Sequence, residues 1–251
     1  MTDPPAFRLV RGDSRLVISV PHAGTFIPHD IGARLNATGR ALLDTDWFVD
    51  RLYEFAPLAG ATLLVATHSR TVVDLNRGPD GTKLYPGQAE TGICPTESFD
   101  GAPLYDGPGP DAAEVQARVA TYWQPYHYAL QAELNRLQGL HPNVHLLDGH
   151  SIRGQIPRLF AGRLPDLNFG TNSGHAASTL LVETAMAATA PFGFSQVLNG
   201  RFRGGFITRH YGRPAEGVQA IQLEMAWEAY MGTGAGRLLS ALLALVNALS
   251  K

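Results

Sequence analysis

Two apolar runs in this chain lead into histidines. Leu16-Val17-Ile18-Ser19-Val20 precedes Pro21-His22-Ala23-Gly24, and Val144-His145-Leu146-Leu147 precedes Asp148-Gly149-His150-Ser151. Such runs read as strands, and a strand that stops at Gly or Pro leaves its last side chains at the rim of a sheet, where open α/β folds bind ligands. Two imidazoles joined by one carboxylate make the three-ligand set of a catalytic zinc, with the fourth position left for water. The competing reading is a pair of hydrogen-bonded turn histidines. A candidate for the carboxylate is in Asp44-Thr45-Asp46-Trp47, which reads as the opening of the first helix. Asp46 is the preferred ligand, because Asp50 lies one turn further along the same face and is placed to orient it or replace it. Asp44 reads equally well as a helix cap, and the choice among the three acids stays open.

Glu224 ends the run Val218-Gln219-Ala220-Ile221-Gln222-Leu223-Glu224. A charged group emerging from an apolar strand has its pKa raised by burial, which suits a general base; the alternative is a buried ion pair. In metal-assisted hydrolysis such a Glu takes a proton from water and returns it to the departing nitrogen. Arg70 and Arg77 flank the segment Thr71-Val72-Val73-Asp74-Leu75-Asn76, and Arg153, Arg158, Arg163, Arg203 and Arg209 lie in two glycine-rich stretches. Guanidinium groups grip carboxylates bidentately, so several of them near a metal cleft point to a small acidic substrate, with Asn76-Arg77 the preferred pair; dispersed surface charge accounts for the others.

Elements must bring these groups together. The sequence predicts strands over 15–20, 61–67, 71–75, 144–147, 194–198 and 218–224, and helices over 44–58, 176–188 and 236–249. Asp111 caps a further helix whose apolar positions Val115, Val119, Tyr122, Tyr126, Leu130, Leu134 and Leu137 step by three or four. Pro125 inside it predicts a kink or two abutting helices near Trp123 and Gln124. Long Gly/Pro-rich loops over 76–110 and 149–174 read as walls of a site, the first as a candidate lid. The alternation is that of an α/β fold, and no linker divides residues 1–251.

Composition excludes several classes. Twenty Lys and Arg against 22 Asp and Glu, for a formal net charge of -2, provide no basic field for nucleic acid or an anionic membrane. Cys94 is the sole cysteine, so neither an internal disulfide nor a cysteine-rich metal site is available. No apolar run approaches the roughly 18 residues of a membrane span, and Met1-Thr2-Asp3-Pro4-Pro5 has no basic segment followed by an apolar core. A cytoplasmic protein is expected. No Gly-x-Ser-x-Gly elbow supports a serine hydrolase, and Asp148-Gly149-His150-Ser151 has too few acids for the bridged metal pair of a ureohydrolase.

A resemblance now emerges from Ser19-Val20-Pro21-His22-Ala23-Gly24, Arg70-Thr71-Val72-Val73-Asp74-Leu75-Asn76-Arg77, Pro125-Tyr126-His127, Asp148-Gly149-His150-Ser151, Asn199-Gly200-Arg201-Phe202-Arg203-Gly204-Gly205 and Gln222-Leu223-Glu224. Together they resemble the successive motifs of the N-formylglutamate amidohydrolase family. Pro95-Thr96-Glu97-Ser98-Phe99-Asp100, Ile156-Pro157-Arg158-Leu159-Phe160 and Thr208-Arg209-His210-Tyr211-Gly212 are similar to loops of the branch that deformylates N-formylglutamate in histidine degradation. The resemblance implies a three-layer, zinc-carboxypeptidase-like (phosphorylase/hydrolase-like) α/β fold with a central mixed, mostly parallel sheet. It implies hydrolysis of N-formyl-L-glutamate to L-glutamate and formate with one zinc ion per chain. His22 and His150 match its metal-binding histidines and Glu224 its catalytic Glu, while Asn76-Arg77 resembles the pair that holds a substrate carboxylate in zinc carboxypeptidases. Those peptidases take their carboxylate ligand three residues after the first His, where this chain has Thr25; Asp46 is the inferred replacement. His127 and His210 are secondary site candidates. The rival readings are another N-acyl amino acid or a peptidoglycan fragment as substrate, and a noncatalytic binder of small acidic ligands.

Overall fold

The computed structural model describes residues 3–84 and 87–251. Seven strands form one sheet: β1 (Phe7–Val10), β2 (Leu16–Val20), β3 (Thr62–Ala66), β4 (Val144–Ile152), β5 (Leu167–Gly170), β6 (Gln196–Leu198) and β7 (Val218–Ala226). Their order is β1-β3-β2-β4-β7-β5-β6. β3, β2, β4 and β7 run parallel, β1 and β5 pair antiparallel to their neighbours, and β6 runs parallel to β5. Among the described residues eight α-helices accompany the sheet: the one-turn α1 (His29–Gly32), α2 (Ala37–Arg40) and α3 (Val49–Leu52), then α4 (Ala112–Arg118), α5 (Gln124–Gln138), α6 (Thr179–Thr189), α7 (Phe206–Tyr211) and α8 (Ala235–Leu249).

Both faces of the central strands are covered, and all nine residues of β4 are buried. This is why the sequence shows unbroken apolar runs instead of alternation. On one face Leu16, Ile18, Val20, Leu147, Ile221 and Leu223 meet Leu181, Val182, Leu238, Leu242 and Leu245 of α6 and α8. On the other, Val17, Leu64, Val144, Leu146 and Ala220 meet Tyr126, Leu130, Leu134 and Leu137 of α5, with Ile207 and Tyr211 of α7. Each large apolar side chain removed from water contributes about 1.5–3 kcal/mol. Toward the carboxyl ends of β4 and β7, the second face changes from apolar residues to Asp148, His150, Gln222 and Glu224, all buried. The site is the polar continuation of a core face.

Several elements depart from expectation. β4 does not stop at Leu147, because Asp148, Gly149 and His150 pair in register with Gln222, Leu223 and Glu224 of β7. His150 is therefore inside a strand, whereas His22 lies just beyond β2. The helix expected over 44–58 is broken into turns, α3 and a 3-10 segment at Ala56–Ala59. Phe48 has φ 65°, which no α-helix accommodates, and Asp46 N donates to His22 O at 3.1 Å, tying this segment to the exit of β2. The strand expected over 71–75 is a chain of turns. Ser69 Oγ accepts from Thr71 N and Asp74 Oδ1 from Asn76 N, local bonds that compete with a ladder, while Val73 and Leu75 owe their apolar character to the core. β1 and β5 were not expected; β5 lies inside the supposed loop 149–174 and α7 in the glycine-rich stretch that carries Arg203 and Arg209. At the predicted kink, α4 and α5 are joined by a π-helical turn, Val119–Trp123, and Pro125 follows directly as the second residue of α5, so the helix widens where a proline ring would otherwise meet the preceding turn. Residues 85 and 86 of the expected lid lie outside the described residues.

Candidate metal centre

His22, Asp46 and His150 each present a ligand atom within 4.8 Å of the other two, and all three are buried. The turn after β2 carries His22, β4 carries His150, and the backbone bond from Asp46 to His22 sets the acid between them. Asp46 Oδ2 is 3.1 Å from His150 Nδ1 and 3.7 Å from His22 Nδ1, and it also accepts from Ser151 N at 3.1 Å. Each imidazole has its far nitrogen held by another acid: His22 Nε2 lies 2.8 Å from Asp74 Oδ1, and His150 Nε2 3.0 Å from Asp148 Oδ2. Such carboxylate–histidine pairs fix the tautomer and turn the opposite nitrogen toward a metal. His22 Nδ1 is buried without a hydrogen-bond partner among the described residues, as a nitrogen reserved for a metal would be.

The other two acids are placed elsewhere. Asp50 pairs with Arg8 at 3.0 Å, away from the centre. Asp44 Oδ2 accepts from Phe99 N at 2.8 Å, and burial raises its pKa against the opposing charge of Arg70. Neither approaches the histidines, so Asp46 is the acid that geometry joins to them. The capping role weighed for Asp44 does not arise, because no helix begins at that residue.

Charge favours a divalent cation. Asp46, Asp74 and Asp148 are buried and, among the described residues, only Arg70 is a buried guanidinium beside them, so three carboxylates against one cation leave two negative charges. Burial opposes ionisation of Asp74, but Arg70 and His22 outweigh it and hold its pKa well below the usual range. Burial likewise disfavours the charged form of His150, yet Asp148 and Asp46 raise its pKa well above that of a free imidazole. A proton on His150 stands in for part of the charge a metal would bring.

Glu224 faces His150 across the β4–β7 register. Burial pushes its pKa up to about 8, partly opposed by His150. Gln222 Nε2 donates to its Oε2 at 3.3 Å, while Gln222 Oε1 accepts from Gly205 N at 2.7 Å. Glu224, the His22-Asp46-His150 cluster, Arg70, Arg77, Thr91 and Arg201 line one cavity. Arg70 is committed to Asp74 at 2.6 Å and lies over the Phe99 ring. Arg77 donates from Nε to Thr91 O at 2.9 Å and from Nη1 to Asn76 O at 3.1 Å. Asn76 also lines the cavity, but its amide is engaged: Oδ1 accepts from Ile207 N at 2.8 Å, and Nδ2 lies 2.9 Å from His150 Nε2 and 3.3 Å from Asp148 Oδ2. Expected to grip substrate, it holds the His150–Asp148 pair. Gly205 makes room for it, since a Cβ there would fall 2.3 Å from Asn76 Nδ2.

The remaining expected residues lie outside this cavity. Arg153 is drawn to Asp100 at 2.8 Å and Asp44 at 3.6 Å, and Arg209 lines a neighbouring groove with Arg203, its Nε donating to Gly204 O at 2.8 Å. His127 is buried between Trp123 and Tyr211, with Nε2 on Leu75 O at 2.9 Å. Burial lowers its pKa to about 3, so it is neutral and donates there. His210 is exposed and stacks on Phe206. Sequence reasoning missed Asp74 and Asp148 as histidine partners and Arg201 as a cavity cation. The visible signal was that all three stood within motifs already marked for other residues.

A sequence model of N-formylglutamate amidohydrolases matches residues 14–231. The chain belongs to the N-formylglutamate amidohydrolase family. This amidohydrolase is 48% identical over 223 residues to the N-formylglutamate deformylase of Pseudomonas aeruginosa, covering 88% of this chain and 84% of the relative. It is 44% identical to the Pseudomonas putida deformylase, covering 88% and 83%. Among solved structures, the crystal structure of an N-formylglutamate amidohydrolase from Ralstonia eutropha superposes with a TM-score of 0.84 at 29% identity, covering 98% of this chain and 97% of that one. A gene product of Agrobacterium tumefaciens shares the fold at a TM-score of 0.75 and 20% identity, covering 98% and 96%.

Proposed function

We propose that this amidohydrolase cleaves N-formyl-L-glutamate to L-glutamate and formate, the last step of a histidine degradation route, in the cytoplasm. The observation that carries the reading is one cavity holding a buried His22-Asp46-His150 cluster, a buried Glu224 and the arginines Arg77 and Arg201. The deformylases of the two Pseudomonas species support the choice of substrate. His22 Nδ1, an Asp46 oxygen and His150 Nδ1 would hold one zinc ion, a nitrogen and oxygen donor set that zinc accepts. When bound, the metal supplies Lewis acidity for the formyl carbonyl and makes water a better nucleophile.

The chain's own residues do the rest. Glu224 takes the proton that water loses as its oxygen attacks the formyl carbon, and passes that proton to the nitrogen as the C–N bond breaks. A carboxyl whose pKa burial has raised toward neutrality exchanges protons in both directions at working pH. Gln222 orients it. Arg77 and Arg201 supply positive charge for the two carboxylates of the substrate, and Arg70 holds Asp74 in place behind His22. Arg153 and Arg209, outside the cavity, are assigned to its approaches. The test is metal content of purified protein alongside formate release from N-formyl-L-glutamate before and after chelation. About one zinc per chain and loss of release on chelation are expected; release that survives complete metal removal would overturn the mechanism.

A further inference from the structure

The cavity wall carries one buried hydroxyl that the chemistry above leaves unused. Thr91 is 6% exposed and lines the cavity, and its Oγ1 has no hydrogen-bond partner among the described residues. A buried hydroxyl has forfeited its bonds to water, and such groups ordinarily find a partner. Thr91 is also joined to Arg77, whose Nε donates to the Thr91 carbonyl at 2.9 Å. Arg77 is steadied further by its Nη1 on Asn76 O and by Trp123 Nε1, which donates to Arg77 O at 3.0 Å. The guanidinium and the hydroxyl thus belong to one braced wall, and the bonds that brace Arg77 use Nε and Nη1, leaving Nη2 for a ligand.

We propose that the Thr91 hydroxyl donates a hydrogen bond to the substrate carboxylate gripped by Arg77, making Thr91 a specificity residue for the diacid. The inference rests on the deformylase reading of the site. An ionised carboxylate only accepts hydrogen bonds, so a guanidinium and a hydroxyl side by side satisfy it together. A substrate with an apolar group in that place would leave both donors unpaired, which is how a polar pocket rejects an analogue.

Thr91→Val keeps the shape and removes the hydroxyl, and Thr91→Ser restores it. With zinc-loaded enzyme, Thr91→Val should raise KM for N-formyl-L-glutamate about tenfold with kcat within about twofold, and Thr91→Ser should stay near wild type. N-formyl-L-norvaline lacks the side-chain carboxylate and the α-amide of N-formyl-L-glutamate lacks the other. The Thr91→Val penalty should vanish on whichever analogue lacks the carboxylate that Thr91 holds. An unchanged KM on the parent substrate, or the full penalty on both analogues, would overturn the proposal. Calorimetric binding of glutarate gives a readout independent of turnover, with affinity falling about tenfold in Thr91→Val. If wild type releases no formate, the deformylase reading fails, while equal glutarate affinity in the two proteins defeats the Thr91 contact.

Discussion

Asp74 and Asp148 give His22 and His150 a defined direction: each accepts from one ring nitrogen, so the other faces Asp46. Replacing such a partner ordinarily weakens metal binding about 10–100-fold. Asp74→Asn should do so in a chelator competition titration, with the catalytic rate of fully loaded enzyme falling less; unchanged affinity would remove Asp74 from the metal's support. Glu224→Gln should lower formate release by about 10²-fold or more while leaving bound metal unchanged. The raised pKa of Glu224 has its own signature in metal-free protein. Between its ordinary value of 4.5 and about 8, the folded chain keeps a proton that the unfolded chain has lost. Its contribution to stability is therefore complete below the lower value and gone above the upper one. Urea midpoints at about pH 5 and about pH 8 should show wild type losing stability relative to Glu224→Gln as pH rises. A difference that does not change with pH would mean that the carboxyl is not held protonated.

The π-helical turn between α4 and α5 is the element that braces the site from behind. Arg118 Nη1 donates to Val72 O at 3.1 Å, Trp123 Nε1 to Arg77 O at 3.0 Å and His127 Nε2 to Leu75 O at 2.9 Å. Three side chains spaced along this helix thus hold three carbonyls of the turns that present Asp74, Asn76 and Arg77. A π-turn shifts the face a helix presents, which lets the residues around it aim at one short segment. Trp123→Phe keeps the aromatic contact with His127 but leaves the Arg77 carbonyl unpaired. It should cost about 1 kcal/mol in stability and raise KM for the diacid several-fold, with little effect on kcat. A fall in kcat with unchanged KM would show that the brace acts on the metal side instead. The periodic apolar positions showed this helix and Pro125 marked the junction; the brace was not legible, because its acceptors are backbone carbonyls of a segment whose turns read as a strand.

At the scale of the molecule, the parallel strands β2, β4 and β7 point their carboxyl ends at one place, and the excess buried negative charge gathers there. On the proposed zinc reading, folding is expected to be coupled to metal. A ligand that binds only the folded state stabilises it by RT ln(1 + [L]/Kd), about 4 kcal/mol at a thousandfold excess over Kd. Stripping the metal should lower the melting temperature by several degrees, and zinc should restore it. Asp46→Asn should abolish most of that response, and a melting temperature indifferent to metal would sever the centre from the fold. Among the described residues, no helix is long and apolar enough to cross a membrane.

Local pattern alone was enough to identify the α/β class, the strands of the parallel core, the helices that cover them, and His22, His150 and Glu224 as groups emerging from apolar runs. Those signals are local, because burial on both faces forces apolar residues into continuous stretches and makes a polar exception conspicuous. Tertiary structure decided which acid joins the histidines. Asp44, Asp46 and Asp50 are near-equivalent along the chain, and only the left-handed turn at Phe48 and the bond from Asp46 N to His22 O separate them. It also decided that Asn76 braces a histidine pair, that Arg153 turns to Asp100 and that Arg201 enters the cavity. These are relations between residues far apart in the chain, 74 positions for Asn76 and His150 and 53 for Arg153 and Asp100, and no short-range pattern encodes them.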